Sequence, residues 1–231
     1  MGILNGIVTE IREFLTDLRT DPADTLISLA ILAVCLLFSL IIHEIAHGYV
    51  ALKCGDPTAK MMGRLSLNPA KHLDPVGTVC MILLHVGWAK PVPVNPRNFR
   101  NYKRDYILVS MAGIVTNFVL FVISIFAYTF MVKRVRTYST VYFYALQFLL
   151  QLAAINLGLA IFNLIPVPPL DGFRVLDRLA FKDRLSMNGD TMRIVYWIFL
   201  FVCISGVLSN VLGTVNNGIL NFFYRLFYGI I

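Results

Sequence analysis

Long runs without a charged residue alternate with short polar stretches along this chain, and their lengths predict its elements. The start is different in kind. Ile3, Leu4, Ile7, Ile11, Phe14, Leu15 and Leu18 recur at helical spacing with Glu10, Arg12, Glu13 and Asp17 between them. That pattern predicts an amphipathic helix on the membrane surface over residues 1–20. Asp21-Pro22 ends it and puts a proline where the next helix can open. The next helix is expected from about Asp24 to Lys53, longer than the roughly 20 residues that cross a bilayer, and its stretch from Leu26 to Ile42 carries no charge. From Gly55 to Lys71 the chain turns polar and irregular. Val76 to Ala89 is apolar but, at about 14 residues, short for a crossing, and Pro75, Pro91, Pro93 and Pro96 flank it. A re-entrant or β-like segment around residues 73–95 is expected there instead, with an extended edge near Lys90–Val94.

Tyr106–Val132 is charge-free and predicts a second span, closed by Lys133, Arg134 and Arg136. A third is centred on Val141–Ile165 and is unwound by Pro166, Pro168 and Pro169, because prolines so close together cannot continue a helix. A charged loop follows to Arg193. The last apolar region, Ile194–Ile231, reads as one span to about Leu212 and a shorter amphipathic piece, with the break expected at Asn216, Asn217 and Gly218.

Composition agrees with a membrane chain: 58% of the residues are hydrophobic and 14% charged, where a soluble domain has about a quarter charged. The expected fold is an all-α polytopic membrane protein with about four to six transmembrane helices. Residues 1–231 are expected to form a single integral-membrane domain, with the surface helix at 1–20, a core at 25–190 and C-terminal membrane helices at 191–231. The formal charge of +7 reports topology in such a chain before it reports nucleic acid, and no nucleic-acid binding is expected. Cys35, Cys54, Cys80 and Cys203 show no C-x-x-C spacing, which points away from a disulfide framework or a cysteine metal site. No basic region followed by an apolar block marks a cleavable leader in the first twenty residues.

Chemistry is concentrated at Phe38–Tyr49, FSLIIHEIAHGY. His43 and His47 are four residues apart and share one helix face, with Glu44 beside them. This is the H-E-x-x-H pattern, in which two imidazoles hold zinc and the carboxylate serves as base. Its setting sharpens it, since an ionisable group at membrane depth is costly without a function. A catalytic zinc takes a third protein ligand, and at membrane depth the remaining choices are His72, His85 and Asp171. Asp171 is preferred because it follows the proline-broken end of the third span, where non-helical backbone can line a site. That choice requires the His43/His47 end of span one and the Asp171 end of span three to share one side, which holds if Val76–Ala89 does not cross. The segments on that side carry most of the Lys and Arg, so the site is expected nearer the cytoplasmic face with the amino terminus outside.

With these residues in view, the chain resembles the site-2 protease family of intramembrane zinc metalloproteases, peptidase family M50. H-E-x-x-H ends one span, N-x-x-P-x-x-P-L-D-G ends a later one (Asn163 to Gly172), and a G-x-x-x-N (Gly113 to Asn117) lies between, so the likeness covers about residues 25–190. The stretch Gly63–Thr78 resembles the compact bacterial and archaeal branch without a PDZ domain. The resemblance implies His43, His47 and Asp171 as ligands of one Zn2+, Glu44 as catalytic base and Asn163 as an aid to catalysis through its amide. Ile114 stands where many members have proline, so close packing through Gly113 is the expected use of that motif, and the role of Asn117 stays open. His72 is expected to anchor the chain at the interface and His85 to be structural. The implied activity is hydrolysis of peptide bonds within or near transmembrane segments of membrane proteins, with the lipid bilayer and a membrane-protein substrate as partners. The alternative is a membrane metal-ion transporter or metal-sensing protein using the same ligands. Fe or Co could also occupy a His2Asp site, although zinc is the usual ion.

Overall fold

The computed structural model of the protein describes residues 12, 14–74, 90–135, 137, 139–181 and 189–231. Most of the amino-terminal surface helix, and the short segment 75–89 with His85, lie outside the described residues; residues 14–20 are helical, as the apolar spacing predicts.

Three of the long helices start where a short polar side chain accepts from an otherwise orphaned backbone N–H. Helix α1, Pro22–Lys53, is capped by Asp21, whose carboxylate accepts from Asp24 N–H at 3.0 Å, with proline in its first turn. A short α2, Thr58–Met61, follows, and two 3-10 turns, Pro69–Lys71 and Pro96–Asn98, punctuate the chain before the next long element. Helix α3, Tyr102–Arg134, is capped by Asn101, and α4, Thr140–Leu164, by Ser139. The proline-rich turn then leads into α5, Asp171–Leu176, and a π-helical turn, Asp177–Phe181. Helices α6, Gly189–Ile204, and α7, Val207–Ile230, complete the chain.

Among the described residues, α1, α3 and α4 are long and apolar enough to cross a membrane, and the bent pair α6–α7 makes up to a fourth span. The protein is an all-α multi-pass membrane protein. Residues 90–95 run without helix or strand ladder among the described residues, in keeping with an extended edge whose prolines limit pairing. One expectation needs correction. The break in the last region falls at Ser205-Gly206, where the two helices meet at 65°, and not at Asn216–Gly218. Gly206 takes φ +76, a left-handed backbone that side chains disfavour. Asn216 remains helical because its amide donates to the Ala154 carbonyl of α4 at 3.3 Å, so a tertiary partner satisfies the group that looked like a breaker.

Helix α3 is the centre of the bundle, packing on α1, α4 and α7. Phe121 and Ile125 of α3 are fully buried against Ala153 and Leu157 of α4, with Ile219, Leu220, Phe223, Tyr224 and Phe227 of α7 closing the cluster. The Phe121 and Phe223 rings meet edge to face at 5.1 Å. Lys133 and Arg134 at the end of α3 donate to the Tyr228 and Ile231 carbonyls at the end of α7. Helices α1 and α4 are joined by polar contacts: Asn156 to Ser39 at 2.8 Å, Gln147 to Ser28 at 2.9 Å and Tyr144 to Asp24 at 2.9 Å. Such bonds between helices need no water and suit a lipid setting.

The helices α1 and α3 run antiparallel. Arg100 N–H donates to Cys54 O, His47 meets Val109, and His43 meets Asn117, so the contacts climb one helix as they descend the other. The connection 55–101 therefore begins and ends at one end of the bundle, as the parity of the spans requires. Its described parts are tied together by Asp56, which has no exposed surface. One Asp56 oxygen accepts from Thr58 and from Asn98 Nδ2 at 2.8 Å, and the other from Asn95 N–H at 2.7 Å. Arg64 adds a second tie, donating to the carbonyls of Lys90 at 2.7 Å and Pro91 at 3.2 Å.

Burial works to raise the Asp56 pKa, but the hydrogen bonds from Thr58, Asn95 and Asn98 outweigh it and hold the carboxyl below its ordinary value. A lowered folded pKa contributes stability that is complete above the unfolded value of about 4 and is lost as pH falls through the folded one. Asp56→Asn is therefore expected to lower the melting temperature of the detergent-solubilised protein at pH 7. The gap to wild type should close as the pH is taken below about 4; a gap that does not change with pH would show that the carboxylate charge plays no part.

Candidate metal centre

The last third of α1 stays helical through FSLIIHEIAHGY, so His43 and His47 project from one face, one turn apart. Both are buried, at 6% and 7% exposure, and Asp171 is buried equally, at 6%. Asp171 opens α5 after the turn at Pro166–Pro169, in which the Pro168–Pro169 bond is cis. Gly172 makes this return possible through space, not through an unusual φ: a Cβ there would lie 2.3 Å from the Leu164 carbonyl oxygen. The end of α4 and the start of α5 thus pack backbone to backbone, which delivers Asp171 to the two imidazoles.

His43 Nε2 and His47 Nε2 lie 3.0 Å apart, and Asp171 Oδ2 is 3.3 Å from the first and 3.0 Å from the second. Among the described residues these three alone bring histidine, cysteine or carboxylate ligand atoms together in a group able to hold a metal ion. Zinc donors about 2.1 Å from the metal in a tetrahedral site are about 3.4 Å from one another, which this triangle approaches. The buried Asp171 Oδ2 has no well-directed hydrogen bond, as expected of an oxygen that faces lone pairs in place of donors. His47 Nδ1 donates to the Val109 carbonyl at 2.7 Å, so in the neutral imidazole the Nε2 lone pair faces the triangle. The donor set and its spacing fit zinc.

Helix α3 backs this centre. A Cβ on Gly113 would lie 2.4 Å from His43 Cε1 and 2.5 Å from His47 Nε2, so only a glycine lets the imidazoles lie against α3. The G-x-x-x-N motif is used for close packing as its sequence suggests, and what it packs is the His43/His47 pair. Asn117, two turns beyond Val109, is fully buried with its amide 3.2 Å from His43 Nδ1.

Glu44 is half-buried beside the triangle, and its Oε2 accepts from Val92 N–H at 2.7 Å. The segment Lys90–Val94 thus crosses the mouth of the site, pinned by Arg64 on its carbonyls and by Asp56 beyond it. A cavity of about 620 Å³ opens against the ligands, walled by Glu44, Val92, Tyr106, Phe162, Asn163, Arg174 and Tyr196 among others. Asn163 lies on that wall, and its Nδ2 donates to the Leu159 carbonyl of its own helix at 3.0 Å. His72 is outside the ligand group. It is 2% exposed, with Nε2 2.7 Å from the Ser66 carbonyl, and it anchors the 55–74 loop.

Several contacts had no signal in the sequence, because the Val109 carbonyl and the Val92 N–H are backbone atoms brought in by tertiary structure. Arg174 could have been found: it stands three residues after Asp171 on α5, with Nη1 3.7 Å from Asp171 Oδ1.

The chain is 39% identical over 204 residues to YwhC of Bacillus subtilis (strain 168), provisionally named a zinc metalloprotease, which covers 85% of this chain and 92% of that one. The model of peptidase family M50 matches residues 132–206. The chain belongs to peptidase family M50. More distant relatives in the comparison are Rip2 of Mycolicibacterium smegmatis (strain ATCC 700084 / mc(2)155), 29% identical over 73% of this chain and 63% of that one, and zinc metalloprotease MJ0392 of Methanocaldococcus jannaschii, 27% identical over 66% of this chain and 35% of that one. No solved structure matches the chain. As a member of M50 it is a membrane-embedded zinc metalloprotease, and the reading as a metal transporter is not favoured.

The Gly113 contact yields a direct test of the M50 centre. Gly113→Ala forces the rings away from α3 at an overpacking cost of about 1–3 kcal/mol. Bound zinc, measured by elemental analysis of the purified protein, is expected to fall by about tenfold or more at limiting metal. Full occupancy in that variant would show that the imidazoles can move aside without loss.

Proposed function

We propose that His43, His47 and Asp171 hold the catalytic zinc and that Glu44 is the general base in hydrolysis of peptide bonds within or near transmembrane segments of membrane proteins. The observation that supports this most is the buried His2Asp triangle with a carboxylate from the same helix beside it, facing a cavity between the spans. Zinc, when bound, supplies electrophilic polarisation and makes water acidic enough to attack at neutral pH.

The chain's own residues do the rest. Glu44 takes a proton from the attacking water at one carboxylate oxygen and passes it to the leaving amine. The Val92 N–H on its other oxygen fixes the orientation of the group. Asn163 carries a second amide donor beside the one spent on Leu159, and we assign it to the oxyanion that develops on the scissile carbonyl. A transmembrane helix hides its carbonyls in i to i−4 bonds, so the substrate must unwind before attack. The extended chain at Lys90–Val94 lies beside Glu44 and offers an edge to which an unwound segment can pair. Residues 25–190 form the proposed catalytic core within a single membrane domain.

The site is proposed to lie nearer the cytoplasmic face of the cell membrane, because Lys53, Lys60, Arg64, Lys71, Lys90, Arg97, Arg100, Lys103 and Arg104 gather at its end of α1 and α3. A conduction path, by contrast, would need charged groups along the spans, and the stretches Tyr106–Val132 and Val141–Ile165 hold no Asp, Glu, Lys, Arg or His.

Glu44→Gln keeps the ligands and removes the base. It is expected to retain zinc while cleavage of a single-span substrate falls by about 10²- to 10⁴-fold; undiminished cleavage would overturn the mechanism. Orientation is tested separately at Met61, which is 81% exposed at the end of α2. A Met61→Cys thiol is expected to react with a membrane-impermeant maleimide in inverted vesicles and to be protected in intact cells, with labelling of the native cysteines subtracted.

A further inference from the structure

We infer that Asn117 is the positioning residue that fixes the tautomer and orientation of His43, completing on one ligand what the Val109 carbonyl does on the other; this rests on the zinc reading above. Val109, Gly113 and Asn117 are spaced four apart on α3 and so form one stripe, which faces α1. The first takes the His47 Nδ1–H at 2.7 Å, the second leaves room for both rings, and the third places its amide 3.2 Å from His43 Nδ1. Each imidazole thus has its outer nitrogen held by α3 and its inner nitrogen aimed at Asp171 Oδ2.

The chemistry of the imidazole decides which end of the amide must face it. With an N–H of Asn117 pointed at His43 Nδ1, the ring would carry its proton on Nε2 and could not ligate. With Oδ1 there instead, the Nδ1–H donates to the amide and the Nε2 lone pair faces the triangle. Asn117 has no exposed surface, and as placed its Oδ1 is buried with no hydrogen-bond partner. Leaving a buried carbonyl oxygen unpaired costs about 1–3 kcal/mol. A half-turn of the amide brings that oxygen to the His43 ring, the one partner the side chain has among the described residues. It leaves an amide N–H unpaired in its place, so the free Nε2 lone pair that a ligand needs decides the orientation. An amide that only joined helices would bond to backbone or to another polar side chain across the interface. Here the partner is a ligand. Outer partners of this kind set ring orientation and donor strength, and their removal weakens metal binding by about 10- to 100-fold.

The test uses the purified full chain in detergent and zinc titrated against a chromogenic chelator. Wild type is expected to bind one zinc that Asp171→Ala does not; a wild type that binds none overturns the metal-centre reading, and this inference with it. Given that binding, Asn117→Leu, nearly the same size without the acceptor, is expected to bind zinc about 10- to 100-fold more weakly. Asn117→Asp, which restores an acceptor for the Nδ1–H, is expected to match wild type or bind more tightly. The metal-free melting temperatures of the three should agree, which separates positioning from a general loss of packing. Should Asn117→Leu fail to fold, Asn117→Ala carries the same comparison without added bulk. Wild-type zinc affinity in the Leu or Ala variant, or an Asp variant as weak as Leu, overturns the assignment while leaving the ligand set standing.

Discussion

The contact on which this structure depends is that of two imidazoles laid against a helix backbone. At Gly113 there is no space even for a methyl group between α3 and the rings of His43 and His47. Close packing there does more than join two spans. It takes both rings out of solvent, sets their tilt, and brings their outer nitrogens within reach of the Val109 carbonyl and the Asn117 amide. Two flexible side chains thereby become a rigid pair of donors, which lowers the entropic cost of gathering them around an ion.

The third donor arrives by a different device. Nothing in α4 continues past Leu164, since the prolines deny the helix its hydrogen bonds, and the chain turns back with Gly172 pressed on the Leu164 carbonyl. Asp171 reaches the histidines because the spans have the right parity: α1 ends, α3 begins and α4 ends at the same end of the bundle. The described parts of the connection between α1 and α3 are tied together by Asp56 and Arg64, so the Val92 N–H arrives at Glu44 on chain whose neighbouring backbone groups are already held. Helix α1 brings His43, Glu44 and His47, the turn after α4 brings Asp171, and the connection between α1 and α3 brings Val92, and all converge on one cavity.

The opposite end of the bundle is built for stability. Aromatic side chains of α7 pack over Phe121 and Ile125 of α3, and Lys133 and Arg134 donate to its last carbonyls. The bend at Gly206 separates α7 from α6, which shows its Tyr196 to the cavity and meets α4 through the Phe162 and Phe199 rings at 5.8 Å. One wall of the site is therefore carried by α6, while α1, α3 and α4 behind His43 and His47 form the packed core.

What the sequence determined by itself follows from short-range rules. Apolar run lengths set α1, α3 and α4 to within a few residues, because crossing hydrocarbon allows few alternatives. The four-residue spacing of His43 and His47 put them on one face, and the scarcity of acids at membrane depth left Asp171 as the best third donor. The sequence could not place the helix break at Gly206 over Asn216–Gly218, because the Asn216 amide is satisfied by a carbonyl of another helix. Nor could it show that Val109 and Val92 matter through backbone atoms, which every residue except proline carries alike. Asn117 was visible as a motif without a role. Its meaning came from tertiary structure alone, since a hydrogen bond to a ring 74 positions away depends on how two helices pack, and local pattern does not encode that distance.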